Sequence, residues 1–411
     1  MSRLPFRFDL RFGIDNDHYG GNSMSSHVIK KLIAILMMLC GLVLELPIAS
    51  AQQPSASQPP APPAAQQAPP AADSPASLPL SSWVYATAND RDYHEDFSSL
   101  SLKGSAFFPL PPVLGQRDED HKLSFVRERW QMMWRPADSI DLYVCKPKGA
   151  AAKLPVILYL YTYPSDTDRF KRDDWCMAMT SEGFAAVGFL SAYTGARLDM
   201  RPPNATFFTD FQESLASTVH DVQMILDYLA TRGDLDMERV GMYGQGSGGT
   251  IAILASSVDK RIQALDVLTP WGDWPNFFAQ TRYVAADKRS KFLAPEFQSK
   301  IAGMDPLTVL PKVQAKSVRI DNVRKSGPMP EASQGRLEGA APPNAIINQY
   351  GDIAAFVPHA GASFAWLRAE SQPNAKPQVA PAKSERIHSY PAAGGDPLPP
   401  IRSPAQKSQP Q

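Results

Sequence analysis

The sequence predicts an α/β protein: a mainly parallel, doubly wound sheet with flanking helices and a helical insert. Three observations predict it. Short runs such as "LPVILYLYT" (Leu154–Thr162) and "FAAVGFL" (Phe184–Leu190) are apolar without polar alternation, as strands covered on both faces must be. Long stretches of helical spacing separate them, foremost "DFQESLASTVHDVQMILDYLATRG" (Asp210–Gly233). The two kinds of segment alternate repeatedly, which calls for a parallel sheet with helices on both sides. The 411 residues, 44% of them hydrophobic, suffice for one large domain plus tails.

The elements follow in order. "KLSFVRERWQMMW" and "SIDLYVCKP" predict a lead-in antiparallel pair, and Leu154–Thr162 the first buried parallel strand. "DRFKRDDWCMAMTSEG" predicts a helix ending at Gly183, and Phe184–Leu190 the next strand. After the long helix, "RVGMY" is a strand, "SGGTIAILASSV" a helix and "IQALDVLTP" a further strand. A helical insert runs from Trp274 towards Val313; "KSVRIDNV" and "AIINQYGD" are the last strands, and "FAWLRAE" belongs to the last helix. No internal repeat is present.

The ends differ in character. Lys30 and Lys31 precede "LIAILMMLCGLVLELPI" and then Ala49-Ser50-Ala51, which together read as a secretory signal peptide cleaved after Ala51. Glu45 and Pro47 interrupt the run and argue against a membrane anchor. Met1–Ser23 is polar for an n-region, making Met24 the expected start, and Met38-Leu39 before Cys40 fits a lipoprotein signal poorly. Residues 52–80 form a Pro/Ala/Gln-rich linker and residues 371–411 a disordered Pro-rich tail, leaving 81–370 as the folded domain. The expected location is secreted or periplasmic, with no transmembrane span after cleavage.

Composition narrows the partners. Acidic and basic residues balance at 41 each, and no basic run interleaved with aromatics occurs, so nucleic acid is not an expected partner. Cys145 and Cys176 either pair, as export permits, or stay as buried thiols. With no zinc-like Cys/His spacing and no H-E-x-x-H, no metal or cofactor is expected.

The most informative stretch is "VGMYGQGSGGTIAILAS", Val240–Ser256, where a strand pattern stops at glycines and a helix pattern begins. Gly244, Gly246 and Gly249 spell a dinucleotide-binding turn, and Asp266 falls about 20 residues on. Asp266 lies inside its strand run rather than at its end, and the turn does not open the domain, so that reading is set aside. The alternative is a nucleophile elbow. Around it the chain, from about Leu123 to Glu370, resembles the α/β-hydrolase family, in particular its dienelactone-hydrolase and prolyl-oligopeptidase-like members. The residues that carry the resemblance are the lead-in hairpin, "LPVILYLY", "HDVQMILDYLATRG", "ERVGMYG", the glycine turn and "VDKRIQAL".

That resemblance implies a serine nucleophile in a small-x-nucleophile-x-small turn at the carboxyl end of the sheet. Family members usually read tyrosine-glycine-histidine-serine-x-glycine-glycine. Tyr243-Gly244-Gln245-Gly246-Ser247-Gly248-Gly249 then puts Gly246 at the nucleophile position, with Ser247 one residue late. One residue is about 100° of helical rotation and about 1.5 Å of rise, so Ser247 is aimed elsewhere; it could equally cap the helix.

The resemblance also implies an acid and a histidine after the nucleophile. His359 is the candidate base, with a surface-loop histidine as the plainer reading, because His388 lies in the tail. Asp321 is the candidate acid, with Asp352 and Asp273 as alternatives. The oxyanion loop falls at "YTYPSDTDRF", where Tyr163 is the candidate, Pro164 offers no N–H, and Tyr161 and Tyr163 are pocket-lining or packing. Trp271 and Trp274 read as core under the insert. His220-Asp221, adjacent in mid-helix, reads as structural or as a surface pair. The resemblance thus implies a small-molecule ester or peptide substrate or ligand, and leaves two functions: an exported serine hydrolase using Ser247 and His359, or an inactive hydrolase-fold protein that binds or scaffolds.

Overall fold

A computed structural model describes residues 93–371, apart from 108–111, 123, 136–137, 151, 165–167, 200 and 326. The segments expected to be signal peptide (1–51), linker (52–80) and tail (beyond 371), and the expected start of the domain near Ser81, lie outside the described residues.

Nine strands form one sheet among the described residues. They are β1 (Val113–His121), β2 (Phe125–Arg135), β3 (Asp138–Pro147), β4 (Leu154–Leu160), β5 (Ala185–Gly188), β6 (Leu235–Gln245), β7 (Ile262–Leu268), β8 (Ser317–Val323) and β9 (Ile346–Tyr350). Their order across the sheet is β1-β2-β3-β5-β4-β6-β7-β8-β9. The pairs β1–β2, β2–β3 and β3–β5 are antiparallel, and all from β5–β4 to β8–β9 are parallel. The central strands are the apolar runs of the sequence, buried on both faces because helices cover both.

The helices are α1 (Asp168–Lys171), α2 (Asp173–Thr180), α3 (Phe211–Ala230), α4 (Ser247–Val258), α5 (Trp274–Gln280), α6 (Arg289–Leu293), α7 (Pro295–Ile301), α8 (Pro306–Val309), α9 (Glu331–Ala340), α10 (Ile353–Phe356) and α11 (Ala360–Glu370). Side chains alternate along each strand. Leu158, Leu160, Met242 and Val267 join one core with α3, α4 and the insert. Ile157, Tyr159, Tyr161 and Tyr243 join the other with α2 and α11.

Most elements fall where the sequence places them, with three departures. The helix expected over 168–183 is broken at Arg172, whose extended backbone (φ −77°, ψ 138°) separates α1 from α2. Strand β1, "VLGQRDEDH", carries no strand-like alternation, since an edge strand pairs on one side only. Helix α9 is polar and buries only Ser333, Gln334 and Leu337.

Residues 93–107 form a strap over α3, closed by the His94–Ala106 bridge. Its anchor is Glu95. Arg135 Nη2 donates to Glu95 Oε1 at 2.7 Å, His220 Nδ1 lies 2.7 Å from the same oxygen, and His220 Nε2 meets the Ser99 carbonyl at 3.0 Å. Burial alone would raise the Glu95 carboxyl; hydrogen bonds from His220 and Arg135 outweigh it and bring it down to about 2. Asp221, one residue along α3, faces the other way. It accepts from Trp134 Nε1 at 2.9 Å and from Arg197 Nη1 at 2.8 Å, and pairs with Arg135. Asp138 in turn binds Arg197 and Arg201. His220 and Asp221 are therefore not a surface pair: both are fully buried, because the strap covers one and the β2–β3 hairpin the other.

Cys145 on β3 and Cys176 on α2 are joined as a disulfide, inside the second core. The bond closes a loop across 31 positions of sequence. By loop-closure entropy its removal costs about 3–4 kcal/mol. The double variant Cys145→Ala/Cys176→Ala is expected to show that loss in urea denaturation, and a midpoint shift no larger than a surface substitution produces would refute the estimate.

Candidate functional site at the elbow

Strand β6 ends at Gln245, α4 begins at Ser247, and Gly246 makes the whole turn between them with φ 50° and ψ −118°. A side chain is strained there, and that strained strand-to-helix turn is where an elbow nucleophile sits. The flanking glycines fix the register. A Cβ on Gly244 would stand 2.5 Å from the Gly248 carbonyl carbon and 2.6 Å from the Gly249 nitrogen. A Cβ on Gly248 would stand 2.5 Å from the Leu160 oxygen and 2.6 Å from the Tyr161 oxygen. The two obligatory small positions, 244 and 248, lie symmetrically about 246. The turn is thus centred on Gly246.

The space a nucleophile would use is filled from neighbouring loops. A Cβ on Gly246 would be 2.9 Å from Thr162 Cβ and 3.0 Å from Trp271 Nε1, and closer still to Thr162 Oγ1. Thr162 follows β4 and Trp271 follows β7. The turn is held from below, since the Gly246 N–H donates to the Leu268 carbonyl at 2.9 Å and Thr250 Oγ1 donates to the Trp271 carbonyl at 2.7 Å. Thr269, a β-branched residue at φ 45°, bends the chain after β7 so that Trp271 reaches the elbow. Its strain is held by the Thr269 N–H donating to the Asp321 carbonyl at 2.7 Å and the Val323 N–H donating to Thr269 Oγ1 at 3.1 Å.

Ser247 is 1% exposed, and its Oγ accepts from the Tyr163 N–H at 2.7 Å. It does not cap its own helix: the cap residue is Gly246, and no side chain bonds there. The serine hydroxyl instead sits against the backbone donor of the loop that would supply an oxyanion hole. Gln245 points to the opposite face, donating from Nε2 to the Tyr159 hydroxyl at 2.7 Å.

The remaining candidates stand apart. Asp321 is buried in β8, accepting from Asn348 Nδ2 at 2.7 Å and Ser363 Oγ at 3.2 Å and pairing with Arg319 Nη2 at 3.0 Å. His359 is exposed at the end of a short 3₁₀ turn, its ring 5.5 Å from that of Tyr350. Asp352 caps α10 through the Ala355 N–H. Asp273, at φ 59°, precedes α5 and accepts from Ser333 Oγ at 2.6 Å and from Arg336 Nε at 2.7 Å, which ties α5 to α9 rather than opening a pocket wall. No hydrogen bond links Ser247, Asp321 and His359 among the described residues. Tyr161 is core, Tyr163 is half-buried over the elbow, and Trp271 and Trp274 are both core. The sequence gives no signal for the roles of Thr162, Thr269 and Arg319.

Under α11 lies an unbalanced carboxylate pair. Asp266 is fully buried in mid-strand β7, with no hydrogen bond to either side-chain oxygen among the described residues. Arg319 lies 3.8 Å from it and closer to Asp321. Burial first, then the charge of Asp321, hold the Asp266 carboxyl well above the carboxylate range. A raised acid costs stability as pH climbs above its unfolded value of about 4, until the folded group also ionises. Asp266→Asn, which lacks that cost, is expected to be more stable than the parent at pH 7, with the gap vanishing near pH 3. Thermal melts across that range test it, and a pH-independent difference would overturn it. Asp266 does not stand where a ribose-binding acid would, since it lies inside the strand and under a helix.

No family model and no curated protein matches this sequence. Solved structures do. An acetyl xylan esterase from Paenibacillus sp. R4 superposes with a TM-score of 0.54 at 16% identity, over 66% of this chain and 90% of that one. Acetyl xylan esterase 1 from Thermoanaerobacterium sp. JW/SL YS485 gives 0.52 at 14% identity, over 62% and 87%. The likeness is one of architecture: this chain has the α/β-hydrolase fold. Among the described residues no helix is long and apolar enough to cross a membrane.

Proposed function

We propose that this chain is an exported protein of the hydrolase fold whose elbow binds a small molecule and does not hydrolyse it through a serine. The observation that carries the reading is Gly246. It holds the elbow conformation, has no side chain, and has Thr162 and Trp271 packed where a nucleophile would project. Ser247 is turned into the Tyr163 N–H, and neither Asp321 nor His359 is oriented towards it by a hydrogen bond. The likeness to esterase structures bears on the fold and leaves the activity open. Export is supported by the basic-apolar-Ala-x-Ala sequence at Lys30–Ala51 and by the Cys145–Cys176 bond, which an oxidising compartment favours.

A fluorophosphonate probe tests the reading directly. The folded full-length protein is expected to remain unlabelled and to turn over p-nitrophenyl acetate no faster than Ser247→Ala does. Labelling at Ser247, lost in Ser247→Ala, would establish the serine hydrolase instead.

A further inference from the structure

The strap over α3 is fastened on a histidine whose two ring nitrogens both meet acceptors. His220 Nδ1 lies 2.7 Å from Glu95 Oε1, and Nε2 lies 3.0 Å from the Ser99 carbonyl oxygen. Neither oxygen has a proton to give. The carbonyl carries none, and the Glu95 carboxylate itself accepts from Arg135 at 2.7 Å and from the Tyr93 hydroxyl at 2.6 Å. A neutral imidazole donates from one nitrogen and accepts at the other. Both contacts are therefore hydrogen bonds while the ring is an imidazolium, and one of them fails when it is neutral.

The buried charges balance on the same condition. Glu95, Asp138 and Asp221 are three carboxylates with side chains at most 3% exposed, against the equally buried guanidiniums of Arg135 and Arg197. An imidazolium at the fully buried His220 is the third cation. Arg201, nearer the surface, also binds Asp138 and is matched by Glu213.

The titratable and charged groups around the ring come from three elements. The strap brings Tyr93, His94, Glu95 and Asp96, β2 brings Arg135, and α3 brings Glu213 and Asp221. Hydrogen bonds from Ser98 hold the Asp96 carboxyl low. Burial would raise the Asp221 carboxyl, but Arg135 and Arg197 outweigh it and bring it down. Burial pushes the Tyr93 hydroxyl up. His94 is exposed, and its backbone makes the bridge to Ala106.

We propose that the strap is a proton-dependent fastening, closed over α3 while His220 carries a proton on each nitrogen and lifting around Ser99 as pH rises and Nε2 gives its proton to water. The Nδ1 proton stays with the carboxylate. A lone pair on Nε2 then meets the Ser99 carbonyl oxygen in a buried contact, which is repulsive. Glu95 keeps Arg135, so the strap lifts without leaving β2. The bonds that open next are those of Gln223, which donates to the Leu100 carbonyl at 2.8 Å and accepts from the Leu102 N–H at 3.3 Å. Lifting uncovers apolar surface, because Phe97, Leu100 and Leu102 pack from the strap onto the first core.

NMR of the full chain carrying isotope-labelled histidine tests this from about pH 5 to about pH 9, a span that brackets ordinary histidine titration. At the acid end both His220 ring nitrogens are expected to carry protons, the signals being identified by their loss in His220→Gln. As Nε2 loses its proton, amide-exchange protection at Leu102, corrected for the intrinsic effect of pH, is expected to fall about tenfold. His94→Gln is expected to leave that fall in place, and His220→Gln, which does not titrate, to abolish it. The proposal is overturned by a ring nitrogen already bare at about pH 5, by a ring holding both protons at about pH 9, or by protection that does not follow the nitrogen. A fall that vanishes in His94→Gln or persists in His220→Gln overturns it as well. Should His220→Gln not fold, the parent protein and His94→Gln decide the matter between them, with the parent's two ring protons assigned by their joint response to the titration.

Discussion

Arg135→Met is expected to lower the stability of the folded domain by about 3–5 kcal/mol, among the largest losses any single side chain here can produce. Arg135 is 3% exposed and binds Glu95 of the strap and Asp221 of α3 together, with its Nη2 also donating to the Ser217 carbonyl at 2.8 Å. Removing it takes the shared cation from two buried carboxylates. Asp221 keeps Trp134 and Arg197, but Glu95 keeps only His220 and the Tyr93 hydroxyl, so the strap is expected to detach first. The measurements are urea denaturation for the domain and amide exchange over residues 93–107 for the strap. The contrast is Lys300, whose pair with Glu296 is exposed on both sides; Lys300→Met is expected to cost less than about 1 kcal/mol. Equal losses for the two variants would mean that the buried cluster is not holding the strap.

Restoring a serine to the elbow is expected to fail twice. Gly246→Ser places a side chain at φ 50° and drives its Cβ against Thr162, so overpacking of about 1–3 kcal/mol is expected in the melt. Gly246→Ser/Thr162→Gly removes the Thr162 side chain and is expected to recover part of that loss. Neither protein is expected to turn over p-nitrophenyl acetate beyond the parent rate. A serine oxygen needs a base beside it, and His359 lies against Tyr350 while Asp321 is committed to Arg319, Asn348 and Ser363. Turnover by the double variant that disappears in its His359→Ala derivative would show that the histidine can reach the turn after all.

The fold was legible because strands buried on both faces have to be apolar throughout, and Ile157, Tyr159 and Leu158 obey that rule on opposite sides of one sheet. The elbow's register was legible for a related reason. Only glycine fits at 244 and 248, so the spacing of the glycines encodes the centre of the turn. What fills the turn was not legible. The approach of Thr162 and Trp271 depends on how the chain leaves β4 and β7, and a strained Thr269 leaves no pattern in its neighbours. His220 and Asp221 show the same limit: their burial comes from two segments about 85 to 125 residues earlier in the chain, which helical periodicity cannot report.

The strap also sets the load path of the molecule. Any pull transmitted to Tyr93 from the chain before it reaches the sheet through Glu95, against α3 and the end of β2. Breaking that attachment means parting several charge-assisted bonds at once, and then the strap peels without disturbing the parallel strands. The first thing to yield under tension would be the fastening, so a mechanically released strap and an intact sheet can coexist in one molecule.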